Sequence, residues 1–171
     1  MKVAVLSDIH DHLDKLEKTL TLIETGNFKV IIFCGDLVSP FMTGILAKAN
    51  LPTYACLGNN DEDHIGMVKK GGKKFTWFHL SQEFAQINLA GRKIAFCHYP
   101  KLGELLANSG KYDAVFFGHT HEVINKVVGK TLLLNPGAVC GINFDEATYG
   151  QASFAAYDTI TNKAQIVTIG A

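Results

Sequence analysis

The sequence predicts an α/β protein in which two packed sheets are flanked by helices. Short apolar runs rich in β-branched residues, typical of buried strands, recur along the chain. In the first part they are separated by a helical pattern, and later they follow one another closely, with turn signals such as Ala90-Gly91. Parallel βαβ units followed by hairpins fit two sheets with helices outside. A length of 171 residues suits a single domain, which we expect to span residues 1–171.

The opening of the chain predicts a βαβ unit. A buried strand over Lys2–Leu6 precedes leucine and isoleucine residues that recur at helical spacing up to Ile23. Asp11 is a predicted cap for this helix and Gly26 its end. A second buried strand, Val30–Phe33, should lie parallel to the first after a right-handed crossover.

The remaining elements are predicted from similar patterns. They are a weaker helix at 40–49, strands at 53–56, 75–78, 84–89 and 94–97, a short helix at 102–107, and strands at 114–117, 123–128, 131–134, 153–157 and 165–169. We expect the three strands from 75 to 97 to be joined by tight turns, and the late strands to pair antiparallel.

Net charge and hydropathy argue against nucleic-acid binding, a signal peptide and a membrane span. Sixteen basic and sixteen acidic residues give a formal net charge of zero, so nucleic-acid binding is not indicated. The apolar stretch before Asp8 is too short for a signal peptide. The longest uncharged run, residues 131–144, contains Asn135, Pro136 and several glycines, so we expect no membrane span.

The four cysteines are widely separated and show no CxxC spacing. They are Cys34, Cys56, Cys97 and Cys140. Three of them sit in apolar runs, which indicates buried thiols in a reducing compartment. A cytoplasmic protein is therefore expected.

Metal-ligand residue types directly follow five of the apolar runs. These residues are Asp8 and His10, then Asp36, then Asn59, then His98, and finally His119 and His121. Because ligands of open α/β sheets bind beyond the carboxyl ends of the strands, we expect these side chains to meet there. The set contains nitrogen and oxygen donors and no thiolate. It favours Mn²⁺, with Ni²⁺, Fe²⁺, Zn²⁺, Co²⁺ or Mg²⁺ as alternatives, over Ca²⁺.

The spacing of these residues indicates shared coordination. In an extended chain, residues two apart point to the same side, so Asp8 with His10, and His119 with His121, could each offer two ligands to one centre. Seven ligands exceed one tetrahedral site and suit two ions bridged by a carboxylate, about 3.5–4 Å apart. A water bridging such ions would be hydroxide near neutral pH.

Taken singly, these motifs have ordinary structural explanations. An Asp and a His after a strand are as often a turn and a helix cap, and Gly35-Asp36 is a common turn pair. Two histidines behind Gly118 have little structural reason to occur together. The other histidines, His12, His64 and His79, are expected to be structural or to face solvent.

Together, these blocks resemble the calcineurin-like metallophosphoesterases in order and spacing. Asn135-Pro136-Gly137 is also similar to a loop of the compact prokaryotic members. The resemblance covers nearly the whole chain and implies a four-layer αββα sandwich of two mixed sheets, with metals at the sheet rim. It implies one ion held by Asp8, His10, Asp36 and His121, and a second held by Asp36, Asn59, His98 and His119, with Asp36 bridging.

One departure from the family pattern bears on the reaction. Many members have a histidine after the motif asparagine, whereas this chain has Asn60, an amide with no useful acidity. General acid catalysis contributes about 10²–10⁴-fold, so its loss should penalise poor leaving groups most. The resemblance therefore implies a phosphodiesterase for a small phosphodiester, attacked by hydroxide bridging two divalent ions. Asp36, Asn59 and His98 would act in catalysis, with Asp61 as a supporting residue.

Two alternative functions and two further questions stay open. A broad-specificity phosphomonoesterase uses the same centre, and a catalytically silent interaction scaffold shares the fold, although a scaffold need not keep all seven ligands. The lysine-rich segment 69–74 is expected to be a hairpin tip or solvated loop. Its alternative role is to attract an anionic substrate toward the metals. A homo-oligomer is left open.

Overall fold

The computed structural model describes residues 1–78, 84–145 and 147–170. In chain order, the elements are β1 (Lys2–Leu6), α1 (Leu13–Thr25), β2 (Val30–Phe33), α2 (Pro40–Leu46), β3 (Thr53–Ala55), α3 (His64–Gly71), β4 (Phe75–Trp77), β5 (Ala85–Leu89), β6 (Arg92–Phe96), α4 (Pro100–Asn108), β7 (Ala114–Phe116), β8 (Val123–Val128), β9 (Thr131–Pro136), β10 (Ser153–Asp158) and β11 (Lys163–Thr168). Short 3₁₀ turns follow α2 and α3. The prediction for His79 concerns a residue outside the described ranges.

Two mixed sheets form the centre of the fold. The first has the order β11-β10-β1-β2-β3-β4, with β1 to β4 parallel and β10 and β11 antiparallel to their neighbours. The second has the order β5-β6-β7-β9-β8, with a parallel centre and antiparallel edges. The predicted pair of mixed sheets is confirmed.

The apolar core shows how the layers stack. Val5, Ile32 and Phe116 belong to a cluster between the sheets. Helices α1, α2 and α3 cover the outer face of the first sheet in a second cluster, which includes Leu16. Helix α4 covers the second sheet, where Leu106 is buried. The order is helices, sheet, sheet, helix, so the central strands β2, β7 and β9 are buried on both faces, which explains their nearly continuous apolar sequences.

One strand pairing differs from the predictions. Strand β4 was expected to join the following strands by a tight turn, but it pairs parallel with β3 in the first sheet. This partner is distant in sequence, and a local pattern does not specify such a pairing. The predicted antiparallel pairing of the late strands is confirmed in the hairpin of β10 and β11, which returns to the first sheet, where β10 pairs antiparallel with β1.

Helix α3 was not predicted, and it changes the place of the lysine-rich segment. Asp63 caps this helix by accepting a hydrogen bond from the Gly66 N–H at 2.9 Å. Lys69 and Lys70 lie in its last turn, so the expected hairpin tip was wrong, although all four lysines of residues 69–74 are exposed as expected. The segment leads into β4, whose first residue pairs with the first residue of β3. The lysines therefore lie at the opposite end of β3 from Asn59, away from the loop predicted to bind metal.

A second local correction concerns the start of α1. Its N-cap is His12, without a side-chain hydrogen bond. The predicted cap, Asp11, instead accepts a hydrogen bond from the Ser39 hydroxyl at 2.6 Å. This contact ties the loop after β1 to the start of α2.

All four cysteines are free and buried, as expected. Within the described residues, none of the helices combines the length and the apolar composition needed to span a bilayer.

Candidate metal centre

The seven predicted ligands meet at one edge of the fold, on loops that follow β1, β2, β3, β6 and β7. Six of them form two groups whose ligand atoms lie within 4.8 Å of one another: Asp8, His10 and His121, and Asp36, His98 and His119. Asn59 adjoins the second group, with its Oδ1 3.0 Å from His98 Nε2. Asp36 connects the groups, because its Oδ2 lies 3.6 Å from His10 Nε2.

The spacing argument for the histidine pair was wrong. His119 and His121 fall in different groups, whereas Asp8 and His10 share one. The backbone is left-handed rather than extended at all four, with φ between 44° and 73°. The strands end before these residues, and left-handed turns aim each side chain separately. Such backbone is uncommon for residues other than glycine and concentrates at functional sites.

Two glycines allow the loops to cross closely. A Cβ at Gly118 would collide with Ser7 and Asp8, and one at Gly58 would collide with Asp36. The contact at Gly118 brings the His119 N–H to 3.0 Å from Asp8 Oδ2, to which it donates a hydrogen bond. The glycines before the ligands therefore serve close approach, as the sequence indicated.

Asp61 supports the ligand loops from behind. Its Oδ1 accepts hydrogen bonds from the N–H groups of Leu37 and Val38 at 2.8 and 2.7 Å. Its Oδ2 accepts from the N–H groups of Asp36 and Gly58 at 2.9 and 2.8 Å. The side chain is buried and belongs to neither ligand group. Asp61 is a positioning residue, consistent with the expected supporting role.

Asn60 contacts the ligand that links the two groups. Its backbone N–H donates to Asp36 Oδ1 at 2.9 Å, and its side-chain Nδ2 donates to Asp36 Oδ2 at 2.9 Å. The amide thus acts as a hydrogen-bond donor toward a carboxylate, and it holds no proton that it could release to a leaving group.

Two histidines have their tautomer determined by backbone carbonyls. His98 Nδ1 lies 2.8 Å from the Cys34 oxygen, and His121 Nδ1 lies 2.6 Å from the Ile142 oxygen. A carbonyl can only accept, so each Nδ1 carries a hydrogen and donates it. In the neutral ring, Nε2 then offers its lone pair to the centre, the arrangement typical of metal-binding histidines.

The donor atoms fit a cation because lone pairs converge. His98 Nε2 is 3.3 Å from Asp36 Oδ2 and 3.2 Å from His119 Nδ1. The buried His10 Nε2 has no hydrogen-bond partner among the described residues, although it lies 3.8 Å from Asp8 Oδ1. Acceptors facing acceptors at these distances repel unless a proton or a metal ion lies between them. The nitrogen and oxygen set suits a divalent transition metal.

The charges of the site lead to the same conclusion. Burial alone would raise the pKa of Asp8, but the contacts with His10 at 3.8 Å and His121 at 3.5 Å hold that pKa well below its usual range. Burial likewise opposes ionisation of Asp36, yet its contact with His98 keeps the pKa of Asp36 lowered. Both buried carboxylates are thus ionised, and they need positive charge nearby.

The pKa values of the ligand histidines shift in different directions. Burial would lower the pKa of His98 and of His121, but the nearby carboxylates of Asp36 and Asp8, at 3.3 and 3.5 Å respectively, raise both pKa values. Burial and repulsion from His98 lower the pKa of His119. Protons and metal ions therefore compete for the same atoms at this centre.

Two histidines lie outside the ligand groups, as expected. His12 has its Nδ1 3.6 Å from Asp14 Oδ1, and His64 begins helix α3. Asn135, which the resemblance placed in a loop, instead belongs to the end of β9 and lies beside the site. The buried Asn135 amide donates to the carbonyl of Gly118 and to the hydroxyl of Thr120, at 3.1 and 3.0 Å, and so braces the loop between β7 and β8.

Sequence reasoning missed two aromatic side chains at this centre. Tyr99 and Phe144 both contact the ring of His119, with ring centroids 5.3 and 5.2 Å away. The available signals were weak. Tyr99 directly follows His98, and Phe144 ends the uncharged, glycine-containing run.

Comparison with known proteins gives a consistent picture. The model of the calcineurin-like phosphoesterase superfamily domain matches residues 1–161. Phosphodiesterase MJ0936 of Methanocaldococcus jannaschii is 33% identical over 143 residues, covering 82% of this chain and 86% of that protein. Phosphodiesterase YfcE of Escherichia coli K12 is 23% identical over 146 residues, covering 81% and 79%.

Solved structures extend the likeness to the whole fold. An archaeal phosphodiesterase superposes with a TM-score of 0.86 at 27% identity, covering 98% of this chain and 99% of that one. Wild-type Vps29 of Entamoeba histolytica, solved with Zn²⁺, has a TM-score of 0.67 at 18% identity, with 99% and 100% covered. The second likeness concerns the fold alone.

Proposed function

This chain belongs to the calcineurin-like phosphoesterase superfamily, and from that premise we propose that it is a metal-dependent phosphodiesterase using two divalent ions. The observation that carries the proposal is the convergence of seven ligand residues in two adjoining groups, with Asp36 of one group 3.6 Å from His10 of the other. Relatives named phosphodiesterases, at up to 33% identity, support the choice of reaction.

The proposed ligands follow the two observed groups. One ion takes Asp8, His10, Asp36 and His121, and the other takes Asp36, Asn59, His98 and His119. Manganese is the proposed ion, since this ligand set contains both imidazole and carboxylate; nickel, iron, zinc, cobalt and magnesium are alternatives. When bound, such a pair activates water as a nucleophile and neutralises charge on the phosphoryl oxygens.

Residues beside the proposed ligands hold those ligands in place and limit which phosphate esters can be cleaved. Asp61 holds the loops after β2 and β3 through backbone N–H groups, which keeps Asp36 and Asn59 in place. Asn60 donates to Asp36 and cannot protonate a departing alkoxide. Diesters with good leaving groups should therefore be cleaved better than monoesters with poor ones.

The proposal extends to the protein as a whole. We expect residues 1–171 to act as one catalytic domain, which the match over residues 1–161 and the return of β10 to the first sheet support. A small phosphodiester is the proposed substrate. Cytoplasmic location is proposed from the four free, buried thiols.

The test compares wild-type protein with Asp36→Ala after chelation and reloading with Mn²⁺. We expect hydrolysis of bis(p-nitrophenyl) phosphate to exceed that of p-nitrophenyl phosphate, and to fall by about 10²–10³-fold or more in Asp36→Ala. Metal content should also fall in this variant. Glu17→Ala, which removes an exposed carboxylate on α1, is the matched control and should keep full activity. If loaded wild-type protein hydrolyses neither ester, the proposal fails and the scaffold alternative is favoured.

A further inference from the structure

Two aromatic side chains stand at the metal centre without serving the core. Tyr99 and Phe144 are 46% and 57% exposed, and neither belongs to the three apolar clusters of the fold. Each packs its ring against His119, at angles of 64° and 69° to the imidazole. Half-exposed aromatic rings of this size beside a polar centre are an apolar surface that folding does not require.

The backbone of Tyr99 is held by residues that precede and follow it in the chain. It is the N-cap of α4 and precedes Pro100, which restricts its backbone to the extended region observed. Its carbonyl accepts hydrogen bonds from the Gly103 N–H at 3.1 Å and from the Cys97 thiol at 3.5 Å. Its ring also lies 5.2 Å from that of His98.

Phe144 is carried by a small hairpin that the metal centre itself anchors. Ile142 and Tyr149 form an antiparallel bridge, and the Asn143 N–H donates to the Thr148 carbonyl at 2.9 Å. The Ile142 carbonyl accepts the hydrogen bond from His121 Nδ1. The ring of Phe144 thus lies near two proposed ligands, 5.2 Å from His119 and 6.2 Å from His121.

We infer that Tyr99 and Phe144 form an aromatic subsite, which binds a planar aromatic ester group of the phosphodiester whose phosphate lies at the metal centre. The inference rests on the proposed function, since the phosphate must lie between the two ligand groups. Rings favour offset or edge contacts with other rings, and exposed aromatic side chains are the surfaces on which planar groups stack. Because both rings contact His119, a group bound there would adjoin the reacting phosphate.

The test uses equilibrium binding of three phosphonates that differ in one group. Phenylphosphonate, cyclohexylphosphonate and methylphosphonate bear the same phosphonate head, and cyclohexyl matches phenyl in size without being aromatic. Binding to Mn²⁺-loaded protein is measured by calorimetry for wild type, Tyr99→Leu and Phe144→Leu. We expect each variant to bind phenylphosphonate about tenfold more weakly, and the other two ligands within about twofold of wild type. Tyr99→Phe, which keeps an aromatic ring, should bind phenylphosphonate as tightly as wild type does.

Tyr149→Leu is the matched control. Tyr149 belongs to the same hairpin and is 84% exposed, and none of the ring pairs among the described residues includes it. This variant should leave all three affinities unchanged, and the thermal midpoints of all variants should match wild type. With bis(p-nitrophenyl) phosphate, Tyr99→Leu and Phe144→Leu should raise KM and leave kcat nearly unchanged, because the subsite binds substrate and transition state alike.

The outcomes separate the inference from the function on which it rests. Equal losses for phenyl- and cyclohexylphosphonate, or no loss for either, overturn the aromatic subsite while diester hydrolysis by wild type still stands. Failure of the wild type both to bind any phosphonate and to hydrolyse any diester overturns the subsite and the proposed function together.

Discussion

One oxygen of the Asp61 carboxylate lies 2.9 Å from the backbone nitrogen of Asp36 and accepts its hydrogen bond. The same oxygen accepts a hydrogen bond from Gly58, one residue before the ligand Asn59. A buried carboxylate therefore joins the loop after β2 to the loop after β3 without using the side chain of either ligand. The geometry of the centre depends on a residue that contacts the ligands only through the backbone.

Asp61→Ala should lower both stability and metal affinity. It leaves four buried or partly buried N–H groups without their acceptor, so the free energy of unfolding should fall by roughly 3 kcal/mol. Affinity for Mn²⁺ should fall about 10–100-fold, as for other residues that orient ligands. Urea unfolding of the chelated protein and calorimetric titration with Mn²⁺ measure the two effects separately. If Asp61→Ala were as stable as wild type both with chelator and with Mn²⁺, this account of Asp61 would be contradicted.

Asn60→His should extend the reaction to poorer leaving groups. An imidazole at this position could protonate a departing oxygen, which contributes about 10²–10⁴-fold where the leaving group is basic. We expect turnover of phenyl phosphate to rise by about 10²-fold or more relative to that of bis(p-nitrophenyl) phosphate. Asn60→Ala, which removes only the hydrogen bond to Asp36, is the control and should not show this gain. Equal changes for both substrates would exclude a missing proton donor as the cause.

Chelated and metal-loaded protein should respond to pH in opposite directions. The contribution of Asp36, whose pKa is lowered from 3.8, is present above that value and lost as pH falls through the lowered pKa. The contributions of His98 and His121, whose pKa values are raised from 6.5, are present below 6.5 and lost as pH rises through the raised values. His119 has a lowered pKa, so its contribution to stability changes with pH in the opposite direction. It is one histidine against two, so His98 and His121 set the direction of the net change.

The chelated protein should therefore be most stable between about pH 4 and 6.5. With Mn²⁺ in excess, stability should instead rise from pH 6 to 8, because metal binding releases protons from the histidines. Thermal midpoints measured across this range with chelator and with Mn²⁺ test the prediction. Parallel profiles would show that protons and metal do not compete for these side chains.

The four thiols should be inert in the folded protein. Burial raises the pKa of Cys97 to about 12 and of Cys140 to about 11, and it raises those of Cys34 and Cys56 as well. At pH 8 we expect no rapid reaction with a disulfide reagent, and four thiols to react in guanidinium chloride. A thiol that reacts rapidly in the native state would identify a region that opens locally.

The sequence alone determined which residues form the centre and where each would lie along the chain. Metal-ligand residue types follow five strands directly, and strand ends meet at one edge, so Asp8, Asp36 and His98 could be expected to approach one another. The sequence likewise predicts the two-sheet architecture, because strands buried on both faces leave continuous apolar runs. Both inferences depend on local patterns that the chain carries wherever it folds.

Only the tertiary structure decided the backbone conformation that aims those residues and what surrounds them. The separation of His119 from His121 depends on left-handed turns after β7, and the place of β4 depends on pairing with β3. Phe144 reaches His119 from a hairpin more than twenty residues away. Such contacts arise from packing between distant segments, which residue spacing does not encode. The sequence therefore predicts the ligands, and the fold assigns their neighbours.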